Sequence, residues 1–291
     1  MSKSLFNISR PIILILAALT YSLGAGIAHY LGRPIRVASF GLGGLAVLAL
    51  ISSAFLFAEY FRLPLTPLAQ GETPRQREHS RATLLEVAYA GLTLAAVAIL
   101  TLLLTNSLNL SADILIVLTF LFLLAYAIPP FRFSETGYGE LVMAITLGTL
   151  LPALSFLLQY GQLQRLLSFT TFPLTLLALS YLLICNFPTF ASDQKFGRHT
   201  LLSRLTWQHA IPIHHFMILV SFLLFAGAPL LGYPWSLVWP VFLALPFAII
   251  QIYWLQRIAN GGRTLWNFLT SLAAATFGLT AYLLALTYWI R

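Results

Sequence analysis

Charged side chains are scarce in this sequence: Lys, Arg, Asp and Glu together make up 8% of its 291 residues, where soluble domains run near a quarter. Sixteen basic and eight acidic residues cannot coat a globule of this size, which excludes a soluble enzyme. Disorder is excluded as well, because a disordered chain has few apolar residues and 59% of this one is apolar. Cysteine is nearly absent. The single Cys185 excludes an intramolecular disulfide and a cysteine-based metal cluster. What remains is a chain of mean hydropathy +0.87, whose solvent is mostly lipid. Its net charge of +8 is spread over many short loops, a distribution that fits membrane orientation and not nucleic acid.

The apolar residues fall into nine runs, at about 11–31, 38–61, 83–105, 112–128, 138–160, 170–188, 210–231, 235–256 and 265–289. Each is long enough for a helix to cross about 30 Å of hydrocarbon. Strands are excluded because an open sheet would leave unpaired backbone groups in lipid. The basic start, Met1–Arg10, followed by an apolar run superficially resembles a signal peptide. The run continues to about Tyr30 with no obvious cleavage site, which predicts a retained first helix. The expected class is an all-α polytopic membrane protein with nine transmembrane helices and a single membrane domain over 1–291.

An odd number of spans puts the two termini on opposite sides, so the loop charges can be sorted by side. With the N-terminus inside, twelve basic residues fall inside, from Lys3 and Arg10 to Arg257 and Arg263. Only Arg33, Arg36, Arg165 and Arg291 fall outside. That bias predicts a cytoplasmic N-terminus and an external C-terminus. Seven of the eight acids, Glu59, Glu72, Glu78, Glu86, Glu135, Glu140 and Asp193, fall on or near the same inner face. Acids contribute little to orientation. Their asymmetry therefore suggests a chemical face looking into the cytosol, although long loops also simply hold charge.

Two connections are long, Arg62–Ala82 and Thr189–His209. Links near 20 residues are usually functional or disordered. Both follow the second helix of a four-helix unit, about 11–128 and 138–256, with 265–289 as a final helix. The second link reads Cys185-Asn-Phe-Pro-Thr-Phe-Ala-Ser-Asp193-Gln-Lys-Phe-Gly-Arg-His-Thr-Leu201. It resembles the second signature of the UbiA-type intramembrane prenyltransferases, an Asn and two aspartates four apart ahead of Gly-Lys/Arg-x-Thr-Leu. Asn186, Asp193, Gly197, Arg198, Thr200 and Leu201 match it, and Thr189 stands where the first aspartate belongs. The family's Asn-Asp-x-x-Asp signature ends the second helix, here Ala58-Glu59-Tyr60-Phe61-Arg62. Only Glu59 keeps a carboxylate there, and Arg62 reverses the charge of the last aspartate. The central turn Tyr126-Ala-Ile-Pro-Pro-Phe-Arg132, then Gly137-Tyr-Gly-Glu140, is also similar to the family's, as is the opening Arg10-Pro11.

The resemblance implies a UbiA-like bundle around a central cavity. It implies transfer of a polyprenyl group from its diphosphate to an aromatic, quinone-precursor or lipid acceptor in the membrane. It also implies Mg²⁺, because metal-bound carboxylates neutralise the leaving pyrophosphate. Asp193 and Glu59 are then the expected catalytic and metal-binding residues. With two carboxylates left of four, one ion is expected. Asn186, Arg132, Lys195, Arg198, Tyr126 and Arg62 are the expected substrate-binding residues, the arginines because guanidinium takes phosphate bidentately. The expected location is the bacterial cell membrane. Two alternatives stay open: a family member that binds a prenyl lipid or a partner without catalysis, and a secondary transporter. The transporter is disfavoured because the middles of all nine spans lack Asp, Glu, Lys and Arg. His209, His214 and His215 could suggest zinc, but two adjacent histidines do not share a helical face.

Overall fold

A computed structural model of the chain describes residues 10–62 and 74–291. Within them nine long helices carry the apolar runs: α1 Pro11–Tyr30, α2 Val37–Arg62, α3 Pro74–Leu104, α4 Leu110–Ala127, α5 Gly139–Tyr160, α6 Arg165–Cys185, α7 Leu201–Ala226, α8 Trp235–Ala259 and α9 Trp266–Ile290. No strand occurs among the described residues. A helix of twenty residues rises about 30 Å, the thickness of the hydrocarbon core. Side chains such as Val97, Leu100, Ile114 and Leu219, more than half exposed, are the faces such helices turn to lipid.

Helix ends are set by local chemistry. Pro11 opens α1 at a position where a missing N–H costs nothing. Asn109 caps α4 by accepting from Ala112 N at 2.8 Å, and its amide donates to Gly161 O at 2.7 Å, which ties the start of α4 to the end of α5. Thr200 and Ser203 form a reciprocal capping box at the start of α7.

Both long connections are shorter than the hydropathy suggests. Helix α3 begins at Pro74, so its polar first turns carry Arg81 and Glu78, while Glu72 and the side chains of Arg75 and Arg77 lie outside the described residues. In the second connection Phe190–Lys195 forms a short helix and α7 starts at Leu201. Thr206, at φ 60° and ψ 164°, breaks the helical path of α7. The apolar run resumes just beyond that break.

Helix α5 is the most enclosed: 83% of its most apolar stretch is buried, against 22% for α3, which places α5 at the centre and α3 at the rim. It packs against α1 and α6, and α9 closes the bundle onto α1, α6 and α8. Small residues allow these approaches. An added Cβ at Gly24 of α1 would overlap the Pro152 carbonyl of α5, and one at Gly148 would overlap the Thr175 backbone of α6. Polar side chains bridge helices inside the bundle. Thr149 and Thr175 share a hydroxyl bond at 2.7 Å, Thr276 donates to Gln251 at 3.0 Å, and Gln251 meets His214 at 2.6 Å.

Candidate functional site

Alternating helix direction brings the first turns of α1 and α5 and the last turns of α2, α4 and α6 to one end of the bundle. There they surround a cavity of about 450 Å³, a size ordinary for ligand sites. Its depth is apolar and aromatic, with Ile13, Met143, Tyr181 and Leu182, and its mouth is polar, with Arg10, Glu140, Asn186 and Arg198. A second cavity of about 30 Å³ adjoins it, lined by Glu59, Arg62, Phe55 and Glu135. Arg10, Tyr126, Ser134 and Arg198 form walls of both.

The residues singled out by sequence separate into three groups. Tyr126, Asn186 and Arg198 line the larger cavity, and Glu59 and Arg62 line the smaller. Tyr126 is buried, edge-on to Phe55 with centroids 5.9 Å apart. Asp193 and Arg132 stand one contact behind the walls: Asp193 bonds Arg198, and Arg132 bonds Glu135 at 2.7 Å and the Phe61 carbonyl at 3.2 Å. Lys195 is exposed, with its ammonium 5.7 Å from the Phe196 ring, and lines neither cavity.

Sequence spacing did not single out Arg10 as a site residue, yet it lines both cavities and lies 5.3 Å over the Phe55 ring. The Tyr126 hydroxyl is the largest influence raising its already high pKa, so its charge is permanent. The available signal was its position directly before the helix-opening Pro11. Arg10 and Arg132 both adopt left-handed backbone, at φ 48° and 41°, which is uncommon for non-glycine residues and concentrates at functional sites. Glu140 was visible only as part of a turn motif. It accepts from the Asn186 amide at 2.5 Å and from Leu201 N at 3.2 Å, linking the starts of α5 and α7 to the end of α6.

Each carboxylate of the site is paired with a protein donor through at least one oxygen, and the Oε1 of Glu135 is buried without a partner among the described residues. Glu59 pairs with Arg62, and Glu135 with Arg132. Asp193, 5% exposed, accepts from Thr189 Oγ1 at 2.8 Å on one oxygen and from Arg198 at a long 3.4 Å on the other. Among the described residues no three His, Cys, Asp or Glu side chains gather as a metal site. Asp193 already spends one oxygen on Thr189 and the other on Arg198, so a Mg²⁺ ion bound there would sit against the fixed positive charge of Arg198. These residues, as arranged, do not fit the metal.

The donors tell the complementary story. Arg62 and Arg198 each spend one terminal nitrogen on a carboxylate, while among the described residues the Nε–H of each is buried without a partner. Buried donors almost always have acceptors. Both arginines line the same small cavity. The first turns of α1 and α5 bring the positive ends of two long helices to the wall of the larger one. The arrangement can hold an anion at the mouth and an apolar chain in the depth.

No protein-family model matches the chain, and no curated protein sequence matches it. Solved structures do. A UbiA homologue from Archaeoglobus fulgidus bound to GPP and Mg²⁺ is 13% identical over 99% of this chain and 100% of that one, with a TM-score of 0.65. Digeranylgeranylglyceryl phosphate synthase is 14% identical over 99% and 97%, with a TM-score of 0.60. A UbiA homologue from Aeropyrum pernix K1 is 17% identical over 90% and 94%, with a TM-score of 0.57. The chain has the fold of these proteins along nearly its whole length.

Proposed function

We propose that this protein binds an isoprenyl diphosphate in the larger cavity and transfers the prenyl group to an acceptor dissolved in the membrane. One observation carries the proposal: a single cavity joins an arginine-lined mouth to an aromatic and apolar depth, inside the fold of proteins solved with such diphosphates. The diphosphate sits at the mouth against Arg10 and Arg198, toward Arg62 on the adjoining small cavity. The prenyl chain runs inward past Met143 and Leu182.

The allylic carbon–oxygen bond breaks with its electron pair leaving on pyrophosphate. Guanidiniums and helix N-termini at the cavity wall would stabilise the charge that develops on the leaving group. Tyr126 and Tyr181 present rings on the cavity wall that can favour the allylic cation electrostatically. A nucleophilic oxygen or carbon of the acceptor captures the cation, and its proton leaves with the pyrophosphate. Asn186 and Glu140 hold the ends of α5, α6 and α7 in register around this step.

A second reading has its own support. The carboxylates at Glu59 and Asp193 are neutralised by arginines, which favours a protein that binds a prenyl diphosphate without turning it over. The concentration of basic residues at the cavity end also supports a cytosolic mouth. Sealed vesicles address both points. Radiolabelled geranyl diphosphate, which cannot cross the bilayer, is supplied to inverted and to right-side-out vesicles with native lipids. The expected result is label in the lipid extract, with release of pyrophosphate in equal amount, from inverted vesicles alone. Binding without extractable label would select the second reading, and use from right-side-out vesicles would refute the sidedness.

A further inference from the structure

Within the proposed function, the arrangement of the mouth has a consequence for metal dependence. We infer that the diphosphate is held by Arg62 and Arg198 without Mg²⁺, and that Glu59 and Asp193 are positioning residues for these arginines and not metal ligands. Three observations converge. Each carboxylate already accepts from an arginine close in sequence: Glu59 from Arg62, Glu135 from Arg132 and Asp193 from Arg198. The second oxygen of Asp193 is occupied by Thr189, at the position where the resembling family carries an acid. Arg62 and Arg198 line the same small cavity, and among the described residues the Nε–H of each is buried without a partner.

A metal cluster and this lattice are alternative solutions to one problem. Pyrophosphate needs positive charge beside it, which Mg²⁺ supplies with hard oxygen ligands and arginine supplies through a planar fork that never loses its proton. With an arginine in one former acid position and a threonine in another, the chain carries its counter-charge covalently. Glu59 and Asp193 then fix guanidinium orientation by holding one terminal nitrogen each. That leaves the remaining donors for the ligand.

The test is calorimetric titration of the purified full chain with geranyl diphosphate, in excess EDTA and in excess Mg²⁺. The expected dissociation constant is the same in both. Arg62→Gln and Arg198→Gln should each weaken binding about ten- to hundredfold, the range of a charge-assisted hydrogen bond, with or without the metal. Arg62→Lys should recover part of the loss. Glu59→Gln separates positioning from ligation: the inference predicts a modest weakening of equal size in both buffers, whereas a metal ligand would matter only in Mg²⁺. The triple change Ala58→Asn, Arg62→Asp and Thr189→Asp should make binding Mg²⁺-dependent, showing that the assay detects such dependence. Binding of the unmodified chain in Mg²⁺ alone overturns this inference and leaves the proposed function standing. Binding in neither buffer overturns both.

Discussion

Replacing Arg198 by alanine should abolish measurable diphosphate binding and also lower the stability of the protein. Arg198 belongs to the walls of both cavities, so its loss removes the charge they share. It also strips Asp193 of its cationic partner while the carboxylate remains 5% exposed. Breaking a buried pair from one side costs about 3–5 kcal/mol, and the 3.4 Å separation puts this one near the low end. The two effects can be separated. Arg198→Ala combined with Asp193→Asn removes the stranded charge and should regain most of the thermal stability in detergent, while diphosphate binding stays lost. If the double variant recovered binding, Arg198 would be structural and the ligand would be held elsewhere.

The second large effect lies away from the site, where α1 crosses α5. Gly24→Val should prevent assembly of the bundle or lower its melting temperature sharply. Even the first carbon of a side chain at Gly24 overlaps the Pro152 carbonyl, which is backbone and cannot swing aside. Overpacking of ordinary core sites costs about 1–3 kcal/mol, and a clash with fixed backbone belongs above that range. The consequence reaches function because the first turns of α1 and α5 carry Arg10 and Glu140 to the cavity mouth. Gly41→Ala is the control. Nothing lies within 4 Å of an added Cβ there, and alanine gains about 1 kcal/mol over glycine in a helix. Melting curves of both variants check this, and similar curves would show that the α1–α5 contact is not a tight one.

The contrast between what hydropathy reveals and what it hides follows from the solvent. In lipid a span must be long and continuously apolar, so nine runs announce nine helices, and their ends agree with the structure within a few residues in most cases. The largest misjudgements are at polar ends. Residues 74–82 and 201–209 are helical but carry Arg, Glu, His and Gln, a composition that helix ends and loops share. The kink at Thr206 lies just ahead of the apolar run, but hydropathy does not reveal it as a break in a longer helix.

The site was legible as a set of residue types at one end of the bundle and less so as a set of contacts. Arg62 three residues after Glu59 shares a helical face with it, so that pair could be read from spacing. The contact of Asp193 with Arg198 could not, because it depends on a turn through Gly197 at φ 66°. Nor could the exposure of Lys195, which sits two residues from Asp193 yet turns away from the cavities. Arg10 shows the opposite case: an unremarkable residue ahead of a proline becomes a wall of both cavities because α1 starts where α2, α4 and α6 end.

The central claim is that one cavity holds the diphosphate at its mouth and the prenyl chain in its depth. Photo-cross-linking places a ligand on the chain directly. A geranyl diphosphate analogue with a photoreactive group at the end of its chain is irradiated with the purified protein in liposomes, and the labelled peptides are mapped. The account predicts label on the inner wall, at Met143, Tyr181 or Leu182, competed away by unlabelled geranyl diphosphate and strongly reduced in Arg198→Gln. Label confined to the lipid-facing surfaces of α3 and α4, or label that competitor does not reduce, would contradict it.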